Sequence, residues 1–582
     1  MSTESHSSST SQVLILGGGI HGAAVARELV LNGISVILVD SGDLSAGATS
    51  KSSRLIHGGL RYLEYGDVRL VRESLLERGR LLKLAPQFVQ PLRLFVPTRK
   101  RWSGLLRSAL GFFKLARTRI GRRLMGRSER RAPRGFWPIR FGLWMYDLFS
   151  WGDGLPRSQG FKMARGGKPS IHEYPAIAPH YRRICAYSDA QMLYPERCVI
   201  ALLREAEQIA REQQVSFHVQ PHATVRWQSD SIAISQGEGT PAQIIRPDLV
   251  VNCSGAWGDL TLNAIDAATI PLFAGTKGSH LVTRNPVLKE ALGRFGIYAE
   301  TGDRRLAFVL PFGDAVLVGT TDEEWIGDPA TAVASDEELS YLLNVVEGVF
   351  GLKLTRDDIE SHYSGVRPLP RTNDTSNAAI SRDHSLTEHR LHGVPMITLV
   401  GGKLTTFRSV AQQIADRIIR NLRRTRSQST DHRVIIGGEN FPVDDESRNT
   451  LWLQWTKEYK TSVEEIADLW PLYGMQIAQI LRQVSELPYI PVAGTNLSQR
   501  VVRWVIENEW IGTTNPPVSF VIPAICRARE FAQLECPSNA SKRTGRSATM
   551  ASSSSFRGFP FSSVSGQPPP RSHFLSGFFS AY

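Results

Sequence analysis

The stretch "LIHGGLRYLEYG", from Leu55 to Gly66, combines residue types that bind and transform anions. His57 stands beside a glycine pair, and Arg61 and Tyr62 follow shortly after it. A guanidinium group donates hydrogen bonds to a phosphate or carboxylate, and an imidazole exchanges a proton near neutral pH. The stretch therefore predicts a site where an anionic ligand lies next to a proton-transfer group.

The N-terminal segment 12–40 has the pattern of a dinucleotide-binding unit. An apolar strand ends at glycines spaced Gly-x-Gly-x-x-Gly, a helical segment follows, and a second apolar strand ends in an acid. Gly17 permits the tight turn, Gly19 lets a pyrophosphate approach, and Gly22 lets helix and strand pack closely. Asp40 is expected to accept hydrogen bonds from a ribose diol. A plain structural glycine turn is the alternative.

Two later segments favour FAD over NAD as the bound dinucleotide. "DLVVNCSGAWGD" is an apolar strand ending at a glycine, and "MITLVGGKLTTF" is a strand, a Gly-Gly turn and the start of an amphipathic helix. The positive end of that helix would stabilise the charge of a reduced flavin. Both could instead be ordinary strand-turn-helix units. Noncovalent FAD is predicted, with further contacts from Thr49, Ser50, Gly255, Gly401, Gly402, Leu404 and Thr405.

The length and cysteine content of the chain limit the number of domains and the class of protein. The chain has 582 residues, which predicts two or three domains. Its five cysteines are scattered without a Cys-x-x-Cys pair, so neither a metal site nor a disulfide framework is expected, and a reducing cytoplasm is favoured. The N-terminus lacks a secretory signal, and no run of about 18 apolar residues predicts a membrane span.

Seven motifs, in order along the chain, carry a resemblance to a known family. They are "GGGIHG", "LIHGGLRYLE", "GSHLV", "GTTDEEWIGDP", "YSGVRPL", "SRDH" and "GGKLTT". The chain resembles the FAD-dependent glycerol-3-phosphate dehydrogenases of the aerobic, respiratory type. The resemblance implies oxidation of sn-glycerol 3-phosphate to dihydroxyacetone phosphate, with hydride transfer to FAD. Electrons would pass on to a quinone at a membrane surface or, in some members, to oxygen.

The resemblance also implies roles for individual residues. A phosphomonoester carries nearly two negative charges and is bound best by several cationic donors. The implied substrate-binding residues are Arg61, Tyr62, Thr321, Arg367, Arg382 and Lys403, and the implied catalytic residues are His57, His280 and Arg367. Which group accepts the alcohol proton stays open, since His57 could instead only hydrogen-bond the backbone or the flavin.

The predicted fold is α/β: a Rossmann-like FAD-binding domain, an antiparallel-sheet (α+β) substrate domain and a C-terminal helical cap. "RLAFVLPFGDAVLVGTTD" is predicted to form a hairpin of the substrate sheet, with a helix over "YLLNVVEGVF". The tail departs from the family pattern, is rich in Ser, Pro and Gly, and is predicted to be disordered. A shifted reading frame is one possible origin. The predicted segments are 13–65, 182–259 and 365–422 for FAD; 69–180 and 260–364 for substrate; 437–512 for the cap; and 513–582 for the tail.

The net charge of +13 is concentrated in one insert, 99–140, which holds fourteen Lys and Arg against the single acid Glu129. From Arg101 to Arg131, apolar residues such as Trp102 and Phe113 fall on one helical face and cations on the others. This pattern predicts a helix lying in an anionic membrane interface. A helix packed on the protein's own core and a basic arm for nucleic acid are the alternatives; no nucleic-acid partner is expected.

Two rival functions compete with the predicted dehydrogenase. One is a related flavin oxidase or dehydrogenase of an amino acid or 2-hydroxy acid, against which the cluster of Arg61, Arg367 and Lys403 argues. The other is an inactive flavin-bearing protein of the membrane surface, which the altered tail suggests. The expected location is the cytoplasm, peripheral at the inner face of the cell membrane. The sequence leaves open whether quinone or oxygen accepts the electrons and whether the protein is a homodimer.

Overall fold

The structure is a computed structural model that describes residues 12–63, 67–103, 135–163, 174–228, 230–237, 240–267, 270–301, 306–371 and 383–510. Three sequence predictions lie outside these residues: the amphipathic helix beyond Ser103, the role of Arg382 and the disordered tail. Arg61 contributes its backbone to a short helix, and its side chain also lies outside the described part.

The described residues form two large sheets with helices packed around them. The strands are β1 Gln12–Leu16, β2 Ser35–Val39, β3 Leu55–Ile56, β4 Val89–Thr98, β5 Gln159–Lys162, β6 Arg183–Met192, β7 Phe217–Gln220, β8 Thr224–Gln228, β9 Ser231–Ser235, β10 Gln243–Ile245, β11 Leu249–Asn252, β12 Phe273–Thr283, β13 Gly296–Glu300, β14 Leu306–Phe312, β15 Ala315–Gly319, β16 Glu323–Trp325, β17 Ser361–Pro370, β18 Ser385–Leu391 and β19 Val394–Val400. The helices are α1 Ile20–Leu31, α2 Leu60–Leu63, α3 Val68–Leu84, α4 Phe136–Phe149, α5 Pro195–Glu212, α6 Gly258–Ala264, α7 Pro286–Leu292, α8 Asp336–Phe350, α9 Phe407–Asn421, α10 Asp445–Tyr459, α11 Val463–Tyr473, α12 Ile477–Val484 and α13 Gln499–Asn508.

The nucleotide sheet has six strands in the order β18-β19-β11-β1-β2-β7. Strand β1 lies parallel to β2 and β11, and β11 lies parallel to β19. Strands β1 and β2 are apolar because both of their faces are covered. Helices α1, α5 and α9 pack against one face. The carboxyl ends of the parallel strands therefore meet at one edge, where ligands bind in such sheets.

The substrate sheet runs in the order β16-β12-β15-β14-β13-β4-β6-β3, with β17 paired to β12 and β5 to β6. The predicted hairpin is present as β14 and β15, joined at Gly313 with a φ of +56°. Helix α8 covers this sheet, as predicted. Its N-terminus has a capping box between Ser335 and Glu338, and it ends at left-handed Gly351.

Three strands that overlap the segments predicted for the FAD-binding domain, β3, β6 and β17, pair in the substrate sheet. Strand β6 pairs with β4 from Thr98 opposite Arg183 to Val89 opposite Met192. Strand β17 pairs along its length with β12. From the predicted segment 182–259, the nucleotide sheet takes only β7 and β11. An apolar strand fits either sheet by pattern, and only its long-range partner decides.

The C-terminal helices α10 to α13 pack around a hydrophobic core of their own, which includes Trp455, Ile466 and Val501. A buried contact ties them to α5: Arg197 donates to Glu509 at 2.6 and 2.8 Å, and Tyr473 donates to the same carboxylate at 2.9 Å. This arrangement matches the predicted helical cap. Among the described residues, no helix is both long and apolar enough to cross a bilayer.

Candidate active site

A cavity of about 1470 Å³ opens at the carboxyl edge of the nucleotide sheet and reaches the substrate sheet. Its walls come from the glycine loop after β1, the small-residue stretch after β2, strand β17 and the Gly-Gly turn after β19. The predicted site residues that line it are Gly17, Gly19, Asp40, Thr49, His57, Tyr62, Gly255, His280, Thr321, Arg367, Gly401, Gly402, Lys403, Leu404 and Thr405.

The glycine loop has the close contacts that its motif requires. Gly17 has a φ of +108°, and a Cβ there would lie 2.6 Å from the carbonyl oxygen of Cys253. A Cβ on Gly22 would lie 1.9 Å from the carbonyl oxygen of Gly17, so Gly22 serves helix–strand packing and does not line the cavity. Gly19 stands at the N-cap of α1, where the Thr49 hydroxyl accepts from the N–H of Ile20 at 3.1 Å. The helix N-terminus thus faces the cavity with backbone close to any ligand.

Asp40 ends β2 and lines the cavity, at the position predicted for ribose recognition. Its carboxylate accepts from the N–H groups of Gly18 at 2.6 Å and Gly42 at 2.9 Å. Burial raises the pKa of Asp40, and these two backbone donors oppose that shift by favouring the charged form. Ser50, by contrast, does not line the cavity; its hydroxyl donates to the carbonyl of Gly47 at 3.2 Å.

The His57 loop and the Gly-Gly turn meet at the cavity. The N–H of His57 donates to the Thr405 hydroxyl at 3.0 Å, and that hydroxyl donates to the His57 carbonyl at 3.2 Å. Gly59 has a φ of +75° and lies directly under the ring of Tyr62. The ammonium of Lys403 lies 4.2 Å from the centre of the Tyr62 ring and 3.3 Å from the Ser74 hydroxyl. Tyr62 and Lys403, predicted to bind the substrate, therefore lie near His57, which is predicted to be catalytic.

Arg367 approaches the cavity from β17 on the substrate sheet. Its guanidinium donates to the Thr320 hydroxyl at 2.9 Å and to the Thr321 carbonyl at 3.2 Å, and it pairs with Asp322 at 3.1 Å. These contacts hold the planar donor group in a fixed orientation. Lys403 and Arg367 thus bring cationic groups to one cavity from both sheets.

Thr321 lines the cavity, but its hydroxyl is engaged elsewhere. The hydroxyl donates to Glu338 at 2.6 Å and accepts from the N–H of Ser279 at 2.8 Å. Lys277 completes this buried cluster with an ion pair to Glu338 at 2.8 Å. Thr321 therefore contributes a structural contact and, through its carbonyl, supports Arg367.

His280 is a buried imidazole on strand β12 of the substrate sheet. It stacks on Tyr363 with ring centres 4.9 Å apart, and its Nε2 lies 2.8 Å from the Ser53 hydroxyl. Burial, followed by the charges of Arg367 and Arg54, lowers the pKa of His280 to about 3. Such a group is a weak base at neutral pH. Its position suits hydrogen bonding more than proton abstraction.

The low pKa of His280 has a measurable consequence for stability. Because an unfolded histidine has a pKa of about 6.5, the unfolded chain binds this proton more tightly than the folded protein. The contribution of His280 to the free energy of unfolding is fully present above the unfolded pKa of about 6.5. It is lost as the pH falls toward the folded pKa of about 3. We expect the free energy of unfolding, measured in urea, to fall between pH 7.5 and 5 by on the order of 2 kcal/mol more in the wild-type protein than in the His280→Gln variant. Equal losses in the two proteins would contradict the assignment.

Sequence reasoning missed His21, which occupies a variable position of the glycine motif. Its Nε2 is buried with no hydrogen-bond partner in the described structure, and it lies 2.7 Å from where a Cβ on Gly402 would be. Burial, with a smaller contribution from His384, lowers the pKa of His21 to about 4. The sequence signal was a polar residue among the apolar residues of the first turn of α1.

Comparison with known proteins agrees with this geometry. The profile of the FAD-dependent oxidoreductase family matches residues 12–151 and 165–408. A glycerol-3-phosphate dehydrogenase of Pseudomonas aeruginosa is 31% identical over 86% of this chain and 88% of its own. The chain belongs to the FAD-dependent glycerol-3-phosphate dehydrogenase family.

Other members of the glycerol-3-phosphate dehydrogenase family support the assignment. The aerobic glycerol-3-phosphate dehydrogenase of Escherichia coli K12 is 33% identical over 70% of this chain and 73% of its own. The crystal structure of the Bacillus halodurans glycerol-3-phosphate dehydrogenase with FAD has a TM-score of 0.61. At 19% identity, it covers 91% of this chain and 89% of its own. It shows that the fold is shared.

The residues present fit FAD. The glycine loop offers a cradle without side chains, the N-terminus of α1 faces the cavity and would favour an anion there, and the cavity is lined by residues of both sheets. Cys253 is the cysteine that lines the cavity among the described residues, and burial raises the pKa of its thiol to about 12. A neutral thiol is a poor nucleophile, which agrees with noncovalent binding.

Proposed function

We propose that this protein oxidises sn-glycerol 3-phosphate to dihydroxyacetone phosphate and passes the electrons to a quinone-type acceptor. Bound FAD supplies the two-electron acceptor that takes the hydride from the alcohol carbon. The observation that carries the proposal is the meeting of Arg367, Lys403 and Tyr62 with His57 in the cavity of the dinucleotide-binding unit. The names of the Pseudomonas aeruginosa and Escherichia coli relatives support the same substrate.

The proposed roles follow from the chemistry of each group. Arg367 and Lys403 bind the phosphate, and Tyr62 orients Lys403 through its ring. The alcohol proton passes to His57, whose backbone is held on both sides by the Thr405 hydroxyl. His280 stays neutral and hydrogen-bonds Ser53 at the cavity wall. Arg61 and Arg382 complete the phosphate site in this proposal.

Anaerobic mixing tests the substrate directly. Glycerol 3-phosphate is expected to bleach the flavin absorbance, whereas glycerol is not, because the cations of the site have no phosphate to bind. Lactate, glycine and other amino acids are the controls for the rival oxidase. Equal bleaching by one of them would contradict the proposed substrate. No bleaching by any compound, with FAD bound, would favour the inactive flavoprotein.

Helix α4 gives further support to the proposed membrane surface. One of its faces exposes Trp137, Phe141, Trp144 and Leu148, each 40–57% exposed, at helical spacing. Trp102, the second residue of the stretch Arg101 to Arg131, stacks on Trp137 with ring centres 5.6 Å apart. Exposed aromatic side chains beside cations are typical of helices at a membrane interface. The enzyme would then reach a lipid-soluble quinone from the membrane surface.

A vesicle assay tests this surface. We expect Phe141→Ser combined with Trp144→Ser, and separately deletion of Arg101 to Arg131, to weaken binding to phosphatidylglycerol vesicles at least tenfold. High salt should weaken binding of the intact protein. Turnover with a soluble dye acceptor should largely survive. The matched control is Ile326→Ser, at an exposed apolar residue elsewhere. Unchanged binding after both changes would rule out the anchor.

A further inference from the structure

The loop His57–Gly59 is held from two sides. On the cofactor side, the Thr405 hydroxyl bonds both the N–H and the carbonyl of His57. On the other side, the next peptide faces a buried polar cluster that the proposed mechanism does not use. That cluster consists of Tyr146 on α4, Asp189 on β6 and Arg78 on α3, each no more than 1% exposed.

The cluster forms a chain of hydrogen bonds that ends at the loop. The N–H of Gly58 donates to the Tyr146 hydroxyl at 2.8 Å and makes a longer contact, 3.4 Å, with Asp189. The Tyr146 hydroxyl donates to the same Asp189 oxygen at 2.6 Å. Arg78 donates to the same Asp189 oxygen at 2.5 Å and to the Ser188 carbonyl at 2.9 Å. Each member is thereby oriented by the next one.

The protonation state of Tyr146 determines the direction of these hydrogen bonds. Burial and the neighbouring Asp189 carboxylate raise the pKa of Tyr146 well above its usual value, so the phenol keeps its proton. Its one proton goes to Asp189, which leaves a lone pair to accept from Gly58. A Cβ on Gly58 would lie 2.6 Å from the Tyr146 oxygen, so the glycine allows this close approach.

Burying a cluster of charged groups in a core costs desolvation free energy. Apolar residues of similar volume often replace a buried ion pair at no loss of stability. A hydrophobic group at position 146 would leave the N–H of Gly58 only its longer contact with Asp189, at 3.4 Å, and a poorly bonded buried backbone donor is unfavourable. We therefore attribute the presence of this cluster to the position in which it holds the Gly58 peptide.

We propose that Tyr146 is a positioning residue: it fixes the Gly58 peptide and thereby the placement of the His57 side chain in the cavity. Asp189 and Arg78 orient the Tyr146 hydroxyl. The catalytic consequence rests on the proposed role of His57; the structural consequence, protection of the Gly58 N–H, does not.

Hydrogen exchange tests the structural consequence. In holoenzyme carrying Tyr146→Phe, the Gly58 amide is expected to exchange at least tenfold faster, while amides of β1 and β2 keep their wild-type rates. The matched control is Tyr187→Phe, on the neighbouring ring whose centre lies 5.7 Å from that of Tyr146. It should leave the Gly58 amide protected. If Tyr146→Phe does not fold, Asp189→Asn is measured instead, with the same expectation. Unchanged exchange at Gly58 would overturn the proposal.

A double-mutant cycle tests the catalytic consequence. Tyr146→Phe should slow flavin reduction by glycerol 3-phosphate about tenfold, with FAD content unchanged. In a His57→Ala background it should slow reduction no further, because the residue being positioned is gone. Equal slowing in both backgrounds would assign Tyr146 a general structural role and overturn the proposal. Wild-type flavin that glycerol 3-phosphate does not reduce would contradict the proposed function, while the exchange result would still stand.

Discussion

Gly19→Val is expected to yield a folded protein without FAD. The residue caps α1 at the cavity, and a Cβ there would already lie 3.3 Å from the Thr49 hydroxyl. The two methyl groups of valine would occupy the space where a pyrophosphate must approach the backbone. We expect the purified variant to be colourless and to release less than about one tenth of the wild-type FAD on denaturation, a loss of more than 1.4 kcal/mol in apparent binding.

The control for this variant is Gly348→Val in helix α8, where a Cβ would meet nothing within 4 Å. That variant should keep its colour and its FAD content. Full FAD in Gly19→Val would contradict the placement of the cofactor. Release of NAD in place of FAD from the wild-type protein would contradict the cofactor itself.

Arg367→Ala is expected to lower kcat/KM for glycerol 3-phosphate by about 10- to 150-fold, which corresponds to the roughly 1.5–3 kcal/mol of one charge-assisted contact. The upper end is expected because Asp322, now paired with Arg367 at 3.1 Å, would face the phosphate without its cation. Arg367→Lys should recover only part of the loss, since an ammonium lacks the planar pair of donors. Steady-state kinetics with a dye acceptor measure the effect.

A matched control separates this effect from general loss of charge. Arg390→Ala removes an exposed arginine from β18 and should leave kcat/KM unchanged. FAD content should be the same in both variants, because Arg367 lies on the substrate sheet. Wild-type kinetics in Arg367→Ala would remove that residue from the phosphate site.

Local signals explain which parts of the fold could be predicted. The unit β1-α1-β2 carries its glycines, its apolar strands and Asp40 within one short segment, and the hairpin β14–β15 carries its turn. The sheet to which strands β6 and β17 belong could not be predicted, because an apolar strand does not encode its distant partner. Sheet membership is a property of the whole chain.

The site shows the same division. His57, Arg367 and Lys403, for which the family resemblance implies roles, line one cavity. Thr321 lies in a matching motif, yet its hydroxyl bonds Glu338, a residue that no local pattern connects to it. Tyr146 is part of an apolar helix and gave no signal at all, since only the folded chain brings it to Gly58.

The strand order of the nucleotide sheet has a consequence for synthesis on the ribosome. Strand β1 pairs with β11, Val13 opposite Leu249, and β11 pairs with β19, Val250 opposite Met396. At about 5–20 residues per second, roughly 20–70 seconds separate translation of β2 from that of β19. Strand β1 carries an unpaired apolar edge until β11 is made, and β11 carries one from then until β19 is made. Such edges are prone to aggregation. The turn at Gly401 and Gly402 is translated last of the described cavity walls, so the cavity is complete only after the nascent chain has passed that point.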